Sequence, residues 1–269
     1  MTVGARTREV SAAGVTVRLE EWGKGPTVIC LHGLGTGASV FSALGQLLAN
    51  DHHIVALDLP GSGLSRLPPA FSFDLLAEVV VSVARALEIP RVGLIGHSMG
   101  TIIALEAIRR APGLVAGFLA VGGLPEALPD ARARIASRVE AIRREGMIGL
   151  GAGVAAANVS ARTARERPDA AGLIARLFEM QPIDGYLATA DALTTWTRRP
   201  LPPLDGVWCG AVTGEEDRYA PPHAVREFAR TLPSDFVEVI DGCGHLPFLE
   251  DPAGFAAIVR AFFGHATPP

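Results

Sequence analysis

Lysine is almost missing from this 269-residue chain: Lys24 is the only one, so nearly all of the 24 basic side chains are arginines. Against 28 acidic residues they leave a formal charge of −4 and no block of like charge. That balance excludes the basic footprint of a phosphate-backbone binder, so no nucleic-acid partner is expected. Cysteine is scarce as well. Cys30, Cys209 and Cys243 are odd in number and widely spaced, which excludes a disulfide framework and a zinc site and suits reduced thiols. No uncharged apolar run reaches the roughly 18 residues that span a bilayer, and the richest stretch is broken by Arg109 and Arg110. The first 17 residues carry Arg6, Arg8 and Glu9 where a signal peptide needs an apolar core. A soluble, cytoplasmic protein with no membrane partner is therefore expected.

What the chain does have is apolar content, 49% of its residues, enough for a full core. Short β-branched runs at 27–31, 53–57, 92–95, 117–121, 207–212 and 236–240 alternate with helical spacing at 39–49, 73–87, 99–110, 222–231 and 252–263. Asp74 and Asp251 are the expected N-caps of two of these helices. Several runs, such as VGLI and FLAV, lack polar alternation, as strands covered on both faces do. The pattern predicts an α/β fold with a mostly parallel, doubly wound sheet. After Gly123 the rhythm breaks. About eighty residues show helical periodicity with no strand, too many for a loop, and RRPLPPLD at 198–205 forms a stiff return. The expected organisation is a core of residues 1–123 and 201–269 with a helical cap at 124–200.

Gly96-His97-Ser98-Met99-Gly100 lies between the strand VGLI and a helix starting near Met99. A serine hydroxyl is a weak nucleophile, so it must be exposed, set beside a base and given amide donors for the developing oxyanion. A tight strand-to-helix turn meets these needs, and glycine at both ends removes side chains where strand and helix approach. Leu31-His32-Gly33-Leu34-Gly35 ends another strand, and its Leu34 amide, with that of Met99, would complete an oxyanion hole. His32 and His97 read as structural hydrogen-bonding residues. The base is sought after the last strand, where Asp241-Gly242-Cys243-Gly244-His245 supplies His245; His52, His53, His223 and His265 fit less well. A carboxylate must orient that imidazole. Glu215, Glu216 and Asp217 are all open on chemistry alone, and spacing favours Asp217 over Glu216.

Taken in order, LHGLG, DLPGSGLS, GHSMG, GEEDRYAPP and GCGHLPFLEDP resemble the α/β-hydrolase family, in its capped serine hydrolase and esterase branch. The resemblance implies the α/β-hydrolase fold with a cap over the pocket, Asp58 and Ser65 as non-catalytic residues of a structural turn, and the last acid of GEED, Asp217, in the triad. Arg144-Glu145-Gly146-Met147 and Gly185-Tyr186 are faintly similar to enol-lactonases. The expected activity is hydrolysis of a small-molecule carboxylic ester or lactone through an acyl-enzyme, with no metal or cofactor. The alternatives are carbon–carbon bond hydrolysis of a vinylogous diketone and ligand sensing with a retained triad. Serine at the elbow argues against the dehalogenases and epoxide hydrolases that resemble this fold but use aspartate. Between residues 125 and 200, eleven arginines face nine acidic residues, which makes Arg138 or Arg144 a candidate ligand for a substrate carboxylate. Solvated helix faces are the plainer reading of the same arginines. Trp196 and Phe178 are candidates either for the pocket wall or for the cap core.

Overall fold

The computed structural model describes residues 4–266 and side chains up to Gly264, so the side chain of His265 falls outside the described residues. Among the described residues eight strands form one sheet: β1 (Arg6–Ala12), β2 (Val15–Trp22), β3 (Thr27–Leu31), β4 (His53–Leu57), β5 (Val92–His97), β6 (Val115–Val121), β7 (Trp208–Gly214) and β8 (Phe236–Ile240). Their order across the sheet is β1-β2-β4-β3-β5-β6-β7-β8. Both contacts of β2 are antiparallel and all the others are parallel.

The parallel strands inside the edge strand β8 are buried on both faces, which is why they read as unbroken apolar runs. Because successive side chains point to opposite faces, Ile29 and Leu31 of β3 enter one core while Val28 and Cys30 enter the other. The first core is closed by α2 (Phe73–Ala86) and α3 (Met99–Arg110), and the second by α1 (Ser42–Leu48) and the C-terminal α11 (Pro252–Ala266). Helix α9 (Pro222–Ala229) joins the first, and the short α10 (Pro247–Glu250) joins the second. Between β6 and β7 lie α4 (Pro129–Glu145), α5 (Gly151–Asn158), α6 (Ala161–Glu166), α7 (Pro168–Glu179) and α8 (Ile183–Thr195), a helical cap without a strand.

Three expectations need correction. The β1–β2 hairpin escaped the sequence reading, although its two-residue turn, Ala13 at φ 50° and Gly14 at φ 78°, has the left-handed geometry that fits tight hairpins. Asp74 lies inside the first turn of α2; the cap is Ser72, whose hydroxyl accepts from the Leu75 amide at 3.1 Å. The helix expected at 39–49 begins as a 3₁₀ turn, Ala38–Phe41, before α1. Asp251 does cap α11, accepting from the Gly254 amide at 3.0 Å. Among the described residues no helix is long and apolar enough to cross a membrane.

Candidate active site

Ser98 stands between β5 and α3 at φ 53°, ψ −118°, a backbone conformation that costs a non-glycine residue about 1–3 kcal/mol and persists only where its surroundings impose it. Here they do. The Ser98 amide donates to the Val121 carbonyl at 2.9 Å, the Thr101 amide returns to the Ser98 carbonyl at 3.0 Å, and the Thr101 hydroxyl holds the Gly96 carbonyl at 2.8 Å. A Cβ on Gly96 would sit 2.6 Å from the Gly100 carbonyl, and one on Gly100 would strike the Leu31 carbonyl. Glycine at both positions is thus a packing requirement. The turn leaves Ser98 partly exposed while His97 and Met99 on either side are buried.

Of the three neighbouring acids, Asp217 alone reaches the imidazole: its Oδ2 accepts from His245 Nδ1 at 2.9 Å and from the Thr213 hydroxyl at 3.1 Å. Its Oδ1 accepts from the Tyr219 and Ala220 amides at 2.8 and 3.0 Å. This carboxylate is buried and its lone pairs are spoken for, a geometry that fixes its orientation. Glu215 receives the Gly242 amide and Glu216 the Ala161 amide, both near the surface. With Nδ1–H donated to Asp217, Nε2 of His245 keeps the lone pair a base requires. A Cβ on Gly122 would come within 2.9 Å of Asp217 Oδ2 and 3.1 Å of His245 Nδ1, so glycine there keeps room for the pair.

The loop carrying His245 is pinned from four directions. Glu250 Oε1 accepts the Gly244 amide at 2.9 Å and the Leu246 amide at 3.3 Å, and its Oε2 accepts the Ser160 amide of the cap at 2.8 Å. The His245 amide donates to the Asn158 carbonyl at 2.7 Å, and His97 Nε2 donates to the His245 carbonyl at 3.0 Å. Burial first, and the neighbouring His245 second, hold the pKa of His97 well below the ordinary histidine value. His32 is buried with both nitrogens in use, Nδ1 toward the Gly33 carbonyl at 2.8 Å and Nε2 accepting from the Leu59 amide at 3.1 Å. It thereby braces the loop that carries Leu34. Asp58 gathers the Ala38 and Leu64 amides and Arg18, and Ser65 takes the Arg18 amide; both hold turns.

Ser98 and His245 line one small cavity, walled also by Leu34, Arg138, Phe178 and Tyr219. Ser98 borders a second cavity as well, with Met99, Ile102 and Leu124. Two expected ligands lie elsewhere. Arg144 points to solvent and pairs with Glu145 at 2.7 Å. Trp196 packs on Phe73 at 5.4 Å and donates to the Pro125 carbonyl at 3.1 Å, filling the joint between cap and core. Tyr219, whose ring lies 4.9 Å from that of His245, and Glu250 were missed by the sequence reading, though both fall inside motifs it had singled out. The three cysteines are buried and unpaired. Burial pushes the Cys209 and Cys243 thiols up to about 12, so they stay protonated and poor nucleophiles. Among the described residues no cluster of side chains suits a metal ion.

This strand order, with a strained serine at the β5–α3 turn and a histidine–aspartate pair beyond β8 and β7, defines the α/β-hydrolase class of architecture. Residues 28–258 match the alpha/beta hydrolase family, and the chain belongs to it. It is 29% identical over 256 residues to a pimeloyl-[acyl-carrier protein] methyl ester esterase of Chromobacterium violaceum, across 92% of this chain and 96% of that protein. With an uncharacterized protein of Mycobacterium bovis it shares 24% identity over 265 residues, 91% of this chain and 77% of the other. In structure it is similar to a thermophilic esterase from Thermogutta terrifontis, with a TM-score of 0.86, 21% identity and coverage of 98% and 100%. An enol-lactonase from Burkholderia xenovorans LB400 superposes with a TM-score of 0.83 at 20% identity, covering 96% and 100%. At these identities the structural likeness speaks for the fold.

Proposed function

We propose that this chain is a serine hydrolase that cleaves a carboxylic ester or lactone of a small molecule through an acyl-enzyme. The observation that carries the reading is the 2.9 Å contact between His245 Nδ1 and a fully engaged Asp217, on the wall of the cavity that exposes the strained Ser98. In this mechanism His245 Nε2 takes the Ser98 proton as Oγ adds to the carbonyl carbon. The amides of Leu34 and Met99 receive the oxyanion. Collapse expels the alcohol or opens the lactone, protonated by the imidazolium, and His245 then activates water to release the acid. Asp217 keeps the tautomer and offsets the imidazolium charge. The chemistry needs no metal or organic cofactor. The methyl ester esterase relative supports an ester as substrate.

The test is burst kinetics with p-nitrophenyl acetate and butyrate, together with mass spectrometry after a fluorophosphonate probe. The expected result is an adduct on Ser98 and a loss of at least about 10³-fold in kcat/KM for Ser98→Ala. Turnover that survives in Ser98→Ala would sink the assignment.

A further inference from the structure

Among the described cap arginines, Arg138 is the one that lines the cavity shared by Ser98 and His245. Among its neighbours in sequence Arg134 is exposed, while Arg132 is spent on Glu126 and backbone carbonyls, Arg143 on Glu140, and Arg144 on Glu145. The half-buried Arg138 guanidinium donates instead to two phenols, Nη1 to the Tyr186 hydroxyl at 3.3 Å and Nη2 to the Tyr219 hydroxyl at 2.8 Å, and lies 5.8 Å from the Phe178 ring centroid. Burial holds the pKa of Tyr186 above the ordinary tyrosine value although Arg138 pulls it down, so this partner carries no formal charge. A guanidinium has five N–H donors in a planar fork, and two tyrosine hydroxyls leave three of them. A cation drawn out of water without an anion is an expensive arrangement, and here it borders the reacting groups.

From this we infer that Arg138 anchors a free carboxylate on the substrate. The inference rests on the hydrolase reading and narrows it to monoanionic esters or lactones. One tyrosine bridges the two functions, since the Tyr219 hydroxyl oxygen accepts from Arg138 and its ring lies against His245. The carboxylate therefore stands only a few carbons from the scissile carbonyl. The second cavity at Ser98 is lined by Met99, Ile102, Leu124, Ala131 and Leu193, and its one charged lining residue, Glu126, is engaged by Arg132 at 3.4 Å. It suits an uncharged, apolar remainder and opposes a second carboxylate. Arg138 touches substrate without entering the bond-making steps, so it sets specificity.

Calorimetric titration of Ser98→Ala protein, which binds without turnover, tests the anchor apart from catalysis. The probes are monomethyl succinate, glutarate and adipate against the corresponding dimethyl esters. At least one monoester is expected to bind tenfold or more tighter than its neutral diester, a preference that Arg138→Met, similar in length but uncharged, removes and Arg138→Lys partly restores. The inference is overturned when no monoester is preferred, or when the preference survives in Arg138→Met protein whose thermal melting confirms folding. Failure of the hydrolase reading would show separately, as wild-type protein without a Ser98 adduct.

Discussion

The sheet and the cap are held together by different means. In α3, ten of twelve residues are buried, from Met99 to Ile108, and in α2 eight of fourteen, several of them valine. In the cap, α4 buries only Ala131, Ile135 and Ile142 over seventeen residues, and α7 only Ala170, Ile174 and Phe178 over twelve. Cap side chains such as Phe178, Tyr186 and Leu193 still continue the apolar core of the sheet, and polar joints add to that seat. Arg199 binds Asp74 through both carboxylate oxygens at 2.9 Å and Glu106 at 2.7 Å. Glu250 takes the Ser160 amide, and the Gly63 amide donates to Gln181 at 2.9 Å. A dense core can hold a strained serine and an aligned acid–base pair, while a cap whose helices α4 and α7 bury fewer residues can vary its wall residues without unseating them. The proposed chemistry accordingly sits at the ends of core strands, and the proposed selectivity sits on α4.

The sharpest way to break that comparison is to add one methyl group to each region. Gly100→Ala places a Cβ against the Leu31 carbonyl and is expected to cost about 1–3 kcal/mol by overpacking. Gly172→Ala, within α7 with nothing inside 4 Å of the added atom, should instead stabilise by about 0.4–1 kcal/mol. Urea melts of both variants check this, and a shared sign would undo the contrast.

Acid sensitivity should also be a property of the core, because all seven histidines lie outside residues 124–200. In the folded chain His97 is held neutral, its pKa well below the ordinary 6.5, and burial lowers His32 in the same direction. The unfolded chain takes up those protons as pH falls through about 6.5, so the unfolded state binds more protons there and stability declines. Above that value both states are neutral and the dependence vanishes. In His97→Gln, which keeps a donor for the His245 carbonyl, the fall in Tm between pH 7 and 5 is expected to be shallower; an unchanged slope would assign the sensitivity elsewhere.

The last contrast lies on the cap surface. Arg199→Met removes the joint to Asp74 and leaves the buried Glu106 with Arg109 alone, an expected loss of about 1–2 kcal/mol. Arg144→Ala breaks only an exposed pair and should stay within about 0.5 kcal/mol. Equal losses in chemical denaturation would mean that the cap is not seated through Arg199.

Legibility in the sequence follows the same division. Runs such as TVICL and VGLI matched their strands because burial on both faces demands unbroken apolar residues. The hairpin of β1 and β2 was harder to see, since an edge strand exposes Arg6, Thr7 and Glu9 and weakens the alternation. Cap helices were visible as a group, yet the face each turns toward the cavity was not. Arg138 and Arg144 are six residues apart on one helix and carry the same chemistry, but one lines the cavity and the other points to solvent.

By itself the sequence determined what short-range physics controls: the alternation of strands and helices, the glycine-flanked serine turn, and loops carrying a histidine and three acids beyond known strands. Each is set by neighbours within a few residues through sterics, periodicity and burial. Only the tertiary structure decided how Thr213, Tyr219 and Ala220 engage the acid that spacing had favoured, that Glu250 and Asn158 pin the histidine loop, and that Trp196 fills a joint while Arg138 faces Ser98's cavity. Those outcomes depend on distances of a few ångströms between residues far apart in the chain, which no local pattern encodes.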